Sequence, residues 1–207
     1  MQKTIYRLGN YIIGMILVSL GIVLCVKCEL GVSPISSVPY VLESLTPLTF
    51  GTLTMLFHFC NSAIQYILEK KFINMKVLFQ IPVAFLFGIL IDFLKNIMHF
   101  HAENLIFQLF LMVMSIVFTA LGMHFMLSMQ LVQNPPDGTV NILARLFHKN
   151  IGTVKICYDI FMVIASVILG IIFLHGLKGF GIATIFSAIF VGQTLTWMKK
   201  RIYLKNS

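Results

Sequence analysis

The strongest constraint on this chain is a row of apolar stretches, each near twenty residues, with little between them. They fall at about 9–26, 51–68, 75–95, 105–129, 151–174 and 179–198. About 20 apolar residues in an α-helix cross a hydrocarbon core of ~30 Å. Inside a bilayer a continuous helix also satisfies its own backbone polar groups. The chain therefore reads as an all-α membrane protein with six transmembrane helices in a single membrane domain, 1–207. Only 11% of residues are charged, against about 25% in a soluble domain. No stretch is left over for a soluble domain. Lys3 and Arg7 precede the first stretch, as in a signal peptide. That stretch is long and no small-residue cleavage site follows, so a retained first helix is expected.

The stretches repeat. Leu20–Thr52 aligns without a gap on Leu121–Thr153, at an offset of 101 residues. Identities include Gly21/Gly122, Pro34/Pro135, Gly51/Gly152 and Thr52/Thr153. Matching Gly and Pro carry weight because they set backbone geometry rather than hydrophobicity. The repeats cover about 9–96 and 105–198. Three spans in each make the repeat inverted, with the second half entering from the opposite face. Paired interruptions in such repeats mark binding sites.

Charge placement supplies an orientation. With both termini inside, twelve of the fifteen Lys and Arg residues lie inside: Lys3, Arg7, Lys70, Lys71, Lys76, Arg145, Lys149, Lys155, Lys199, Lys200, Arg201 and Lys205. Lys27, Lys95 and Lys178 lie outside. This is a positive-inside bias. It accounts for the net charge of +8 without nucleic acid, which is not expected as a partner.

The loops 28–50 and 130–150 are too long for turns and too polar to span. Each carries Pro followed by helical apolar spacing: Val38, Val41, Leu42 and Leu45, then Val140, Ile142, Leu143 and Leu146. Pro34 and Pro135–Pro136 suit a helix start, and Ser33, Asn134 and Asp137 suit its first positions. Two short half-helices follow, either re-entrant from opposite faces or amphipathic at the two interfaces. Re-entrant starts meeting at the midplane would favour an anion or polar group. Ser36 and Ser37 fall on Asp137 and Gly138 in their first turns, and these four are candidate binding residues. Gly51 and Gly152, with the prolines, are candidate backbone hinges.

Ionisable groups inside membrane helices are functional candidates by default. Asp159 lies seven residues after Gly152, and His58 is its counterpart at offset 101. The two are expected to approach as a proton-sharing or substrate-binding pair. Lys155, one turn before Asp159, is a competing partner. Asn61, Ser62 and Gln65 extend a polar stripe from His58. Polar side chains at such positions also bind helices together. His124, Thr184, Ser187, Gln193 and Thr194 are further polar positions, and Asp92 reads as interfacial. Gly9, Gly14, Gly21, Gly88, Gly122 and Gly192 read as packing residues. Cys25 and Cys28 form a C-x-x-C that reads as packing, with a redox role as the minor alternative; no further ligands are near to make a zinc site.

The strings LGVSPISSVPYVLESLTPLTFGTLTMLFH, IPVAFLFGILIDF and PDGTVNILARLF with IGTVKICYD resemble the YitT/YczE-like family of bacterial integral membrane proteins. Leu30 to Tyr40 is the most specific part. The resemblance implies a multi-span protein of the bacterial plasma membrane, often suspected of transport. Gly181–Ile182–Ala183 stand where that family carries an acidic residue before the position of Thr184, and His58 departs from its pattern.

These observations predict a secondary transporter or permease for a small polar or anionic solute or ion, with a midplane site between the repeats. The alternative is a non-transporting accessory, regulatory or substrate-binding subunit. A homodimer or a partner membrane protein fits either. No nucleophile, metalloprotease or nucleotide-binding motif appears, so neither catalysis nor a metal or cofactor is expected.

Overall fold

The computed structural model describes residues 2–69, 75–191 and 193. Its helices, in chain order, are α1 Gln2–Lys27, α2 Pro34–Glu43, α3 Phe50–Glu69, α4 Met75–Leu78, α5 Gln80–Ile97, α6 Leu105–Met129, α7 Pro135–Leu146, α8 Ile151–Leu174 and α9 Ile182–Val191. No strand occurs among the described residues.

Among the described residues, four helical segments are long and apolar enough to cross a membrane: Ile5–Lys27, Gln80–Ile97, Leu105–Met129 and Ile151–Leu174. Helix α3 matches the expected second span in position and has 20 residues. Its polar stripe of His58, Asn61, Ser62 and Gln65, all buried, lowers its hydropathy below that of the other four. The expected third span is broken at Phe79, between α4 and α5. Pro82 explains the break: it has no N–H to bond the carbonyl of Leu78. The far end of the expected sixth span lies outside the described residues, as do Gly192, Thr194, Lys70, Lys71, Lys199, Lys200, Arg201 and Lys205.

Helices α1 and α6 form the longest seam. They run antiparallel, since the Arg7 Nε–H donates to the Met129 carbonyl at 3.1 Å while Cys25 and Cys28 pack with Ala102 and Leu111 at the other end. Small residues set the spacing: a Cβ on Gly14 would lie 2.8 Å from the Gly122 carbonyl oxygen, and one on Gly21 would lie 2.8 Å from that of Ser115. In a bilayer such close backbone approach replaces the hydrophobic drive as the source of helix association. Gly9 was expected to act the same way but meets nothing within 4 Å. Gly51 and Gly88 do so at the α3–α5 crossing, where a Cβ on Gly88 would come within 2.7 Å of the Gly51 carbonyl oxygen. Gly152 has open surroundings.

Backbone features recur at the 101-residue offset. Glu29 follows α1 with φ +58° and Gln130 follows α6 with φ +52°, a region that few non-Gly residues enter. Five residues later, Pro34 and Pro135 open α2 and α7 at the first helical position. The packing is crossed: α2 lies against α8, and α7 lies against α3. Both short helices are buried over much of their surface. Those of α7 include Pro135, Pro136, Gly138, Thr139, Val140, Ile142 and Ala144. Those of α2 are Pro34, Ser36, Ser37, Pro39 and Val41.

Candidate functional site

The two crossed contacts are made by the same bond. Ser37 Oγ in α2 donates to the carbonyls of Pro34, at 2.7 Å, and Met162, at 3.2 Å. Thr139 Oγ1 in α7 donates to the carbonyls of Pro135, at 3.2 Å, and Asn61, at 3.3 Å. Pro34/Pro135 and Asn61/Met162 are pairs at offset 101. Only the donor slips by one position, because Gly138 stands where Ser37 stands in the first half.

Gly138 is required by what lies above it. A Cβ there would come within 2.6 Å of Gln65 Oε1. Gln65 is 2% exposed and ties three elements together. Its Nε2 donates to the Pro135 carbonyl at 2.7 Å and to Gln80 Oε1 at 3.0 Å, and its Oε1 accepts from Gln80 Nε2 at 3.1 Å. Ser62 Oγ also donates to Gln80 Oε1, at 2.9 Å. Asn61 Oδ1 accepts from the Tyr158 hydroxyl at 2.8 Å, bridging α3 to α8. The amides of Asn61, Gln65 and Gln80 have found partners, as a low-dielectric interior demands. Sequence reading singled out Asn61, Ser62 and Gln65 but missed Gln80, Thr139 and Tyr158. A polar residue heading the apolar IPVAFLFGIL run was the available signal for Gln80.

His58 and Asp159 do not form the expected pair. Asp159 Oδ1 accepts from Lys155 Nζ at 2.5 Å, with both side chains nearly buried. The competing i, i+4 partner wins because it sits one turn away on the same helix face. His58 is 2% exposed, and its ring lies 5.3 Å from that of Phe87. Its Nδ1 has no hydrogen-bond partner among the described residues. Asn134 Oδ1 is likewise buried and without a partner. Asn134 and Ser33 occupy the N-cap positions of α7 and α2, but neither side chain caps its helix.

His58 and Asp159 do share a cavity of 1410 Å³. It is bounded by α1, α2, α3, α5, α6, α7, α8 and α9, and both half-helix starts face it, through Ser33, Pro34 and Ser36 on one side and Asn134 and Asp137 on the other. Much of its wall is apolar, with Val18, Ile22, Phe87, Met123, Met126, Val140, Ile160 and Val163 among the lining residues. Thr184, Ser187 and Gln193 also line it. Asn61, Gln65, Ser37 and Gly138 are not among its lining residues and bind helices instead. His124 stands exposed beside Phe125.

The two helix starts differ electrostatically. Pro135 and Pro136 remove two of the N–H groups that an α7 start would offer, and Asp137 sits in its first turn. The positive end of α7 is thus already matched by a carboxylate of its own. The anion cradle expected at both starts is thus weakened at α7, where two prolines and a carboxylate stand in the first turn. Asp92, expected at an interface, caps α3, accepting from the Gly51 N–H at 2.7 Å and the Thr49 hydroxyl at 2.5 Å. Glu43 pairs with Lys95, and Arg145 with Glu69 at 2.6 Å. Cys25 and Cys28 are buried free thiols.

Residues 5–200 match the model of DUF6198, a family of unknown function. The chain belongs to that family. No curated protein and no solved structure matches it. The DUF6198 match spans the nine helices of the described residues from Ile5 onward, and so takes in both half-helices and the described lining of the cavity.

Proposed function

We propose that this chain is an inverted-repeat permease carrying a small organic solute through the central cavity. Six crossings are assigned, by α1, α3, α5, α6, α8 and the helix that begins at Ile182, with α2 and α7 re-entering from opposite faces. The observation that carries the reading is the crossed packing of the two Pro-initiated helices, their accepting carbonyls paired at one offset and their donors shifted by one residue, with both starts on one cavity. That is the arrangement in which rocking one half against the other exposes a fixed site to each side in turn. The placement of Lys and Arg supports cytoplasmic termini, and the likeness to the YitT/YczE-like proteins supports the bacterial plasma membrane.

Asp159 is the proton-coupling group in this reading, with Lys155 rather than His58 as its counter-ion. Protonating Asp159 would release the Lys155 ammonium into the cavity, which changes the charge of the site between its two exposures. The role is transport, with no catalytic step. The test is uptake by proteoliposomes loaded with a pH-sensitive dye and challenged with fractionated metabolite pools. Asp159→Asn is expected to abolish uptake while the protein still folds and inserts. Undiminished uptake would refute the coupling role. Recovery of a stoichiometric ATPase or enzyme on purification, with no uptake by the chain alone, would replace the permease reading with an accessory subunit.

A further inference from the structure

We infer that a backbone clasp between the α1–α2 loop and the start of α9 is a gate of the central cavity. It is closed in this conformer, and the cavity opens instead on the opposite face, at the α7–α8 turn. This deepens the permease reading and rests on it for the motion, though not for the contacts.

Two bonds make the clasp. The Val32 N–H donates to the Gly179 carbonyl at 3.0 Å, and the Ala183 N–H donates to the Leu30 carbonyl at 2.9 Å. The loops meet backbone to backbone because each carries glycine at the contact. A Cβ on Gly31 would lie 2.7 Å from the Gly181 nitrogen, and one on Gly181 would overlap the Leu30 carbonyl oxygen. Gly31 and Gly179 also stand at φ +107° and +82°, a conformation suited to glycine. Val32 is 1% exposed. Ser33, Phe180 and Thr184, beside the clasp, line the cavity, so the joined loops back its wall on this face.

Tyr40 covers the clasp. A Cβ on Gly179 would lie 3.0 Å from Tyr40 Cδ1, and the Tyr40 ring meets that of Phe50 edge-on at 6.1 Å. The Phe50 N–H donates to Glu43 Oε1 at 3.1 Å, and Glu43 pairs with Lys95. Helices α2, α3 and α5 are thereby braced together beneath the clasp, which leaves the clasp as the joint that parts.

The second half is arranged differently. At offset 101 the counterparts of Gly31 and Val32 are Val132 and Gln133, and both line the cavity. Neither enters a backbone bond of the clasp kind among the described residues. Phe50 is 0% exposed, whereas its counterpart Ile151 is 43% exposed. Arg145, Lys149, Asn150 and Gly152, around the α7–α8 turn, are exposed and line the cavity. Their counterparts Ser44, Leu48, Thr49 and Gly51 are not among its lining residues. Related elements are thus sealed at one face and open at the other, the asymmetry expected of a carrier in one of its two exposures.

The test follows one thiol on the cavity wall from both faces. Val163→Cys places it there, in a parent chain whose exposed Cys60 and Cys157 are changed to Ala. Leu48→Cys and Lys149→Cys identify the two faces. In membrane vesicles of each orientation, an impermeant maleimide is expected to label Val163→Cys about tenfold faster from the Lys149 face, because only a minor conformer admits it from the other. Gly181→Ala forces a methyl against the Leu30 carbonyl. It should raise the slow rate about fivefold or more, the low end of an overpacking cost. Should Gly181→Ala fail to insert, Tyr40→Ala carries the same direction of effect. Equal rates from the two faces, faster labelling from the Leu48 face, or a slow rate unmoved in the inserted variant would overturn the gate. Access that shifts as expected, with no flux from metabolite pools into wild-type proteoliposomes, sinks the permease reading alone. Flux with a slow rate that no clasp variant moves sinks the gate alone.

Discussion

The α3/α7 and α2/α8 junctions share a backbone plan and differ in their side chains. In each, a Pro-initiated helix bonds a hydroxyl to its own first carbonyl and to a carbonyl of the long helix it crosses. At α3/α7 this contact is surrounded by Asn61, Ser62, Gln65, Gln80 and Tyr158, joined by side-chain bonds. At α2/α8 the residues matching Asn61, Ser62 and Gln65 are Met162, Val163 and Ser166. Ser166 turns back on its own helix, donating to the Val163 carbonyl at 2.8 Å. The two junctions therefore differ in how they are held. Packing and one hydroxyl hold α2/α8. A saturated amide network latches α3/α7, and a network of that kind has few alternative arrangements.

Three sets of substitutions test that contrast. The largest effect is expected for Gly138→Val, which forces a branched side chain into Gln65. Overpacking costs about 1–3 kcal/mol, with the loss of the amide bonds added. The thermal midpoint in detergent should fall by several degrees or the protein should fail to accumulate. A tolerated valine would show that the latch is loose.

Gln65→Leu comes next, leaving Gln80 Nε2 without its acceptor and the Pro135 carbonyl with the Thr139 hydroxyl alone, for about 1–3 kcal/mol. Gln65→Leu with Gln80→Leu should cost less than the sum of the two single changes, as seen in a double-mutant cycle of unfolding free energies. Strict additivity would dissolve the network.

A third test contrasts a counterpart pair of glycines, one crowded by backbone and one open. Gly51→Ala meets the Gly88 carbonyl and should lower the midpoint measurably. Gly152→Ala meets nothing within 4 Å and should stay within about 0.5 kcal/mol of wild type. Equal effects would mean that the halves do not differ at this crossing.

Much of the fold was readable beforehand because periodicity and backbone chemistry are local. The apolar runs at 105–129 and 151–174 became α6 and α8. Pro34 and Pro135 opened helices because a fixed φ and a missing N–H suit the first turn. The site was less readable. Offset symmetry suggested that His58 meets Asp159, yet a helical neighbour at 2.5 Å captured the carboxylate. Gln80, Thr139 and Tyr158 gave little signal, since their partners are 15 to 97 residues away in sequence.

Sequence alone determined that this chain is helical and apolar enough for a membrane, and that matching Gly and Pro recur at one offset in two interrupted segments. Those properties follow from hydrophobic length and from Gly and Pro, which act on their own stretch of chain. Tertiary structure decided the rest: that α7 crosses to α3 and α2 to α8, that the amide stripe binds helices while His58 faces a cavity, and that His58 Nδ1 and Asn134 Oδ1 are left without partners. Such outcomes depend on which distant groups arrive within about 3 Å, the range of a hydrogen bond, and no local pattern encodes that distance.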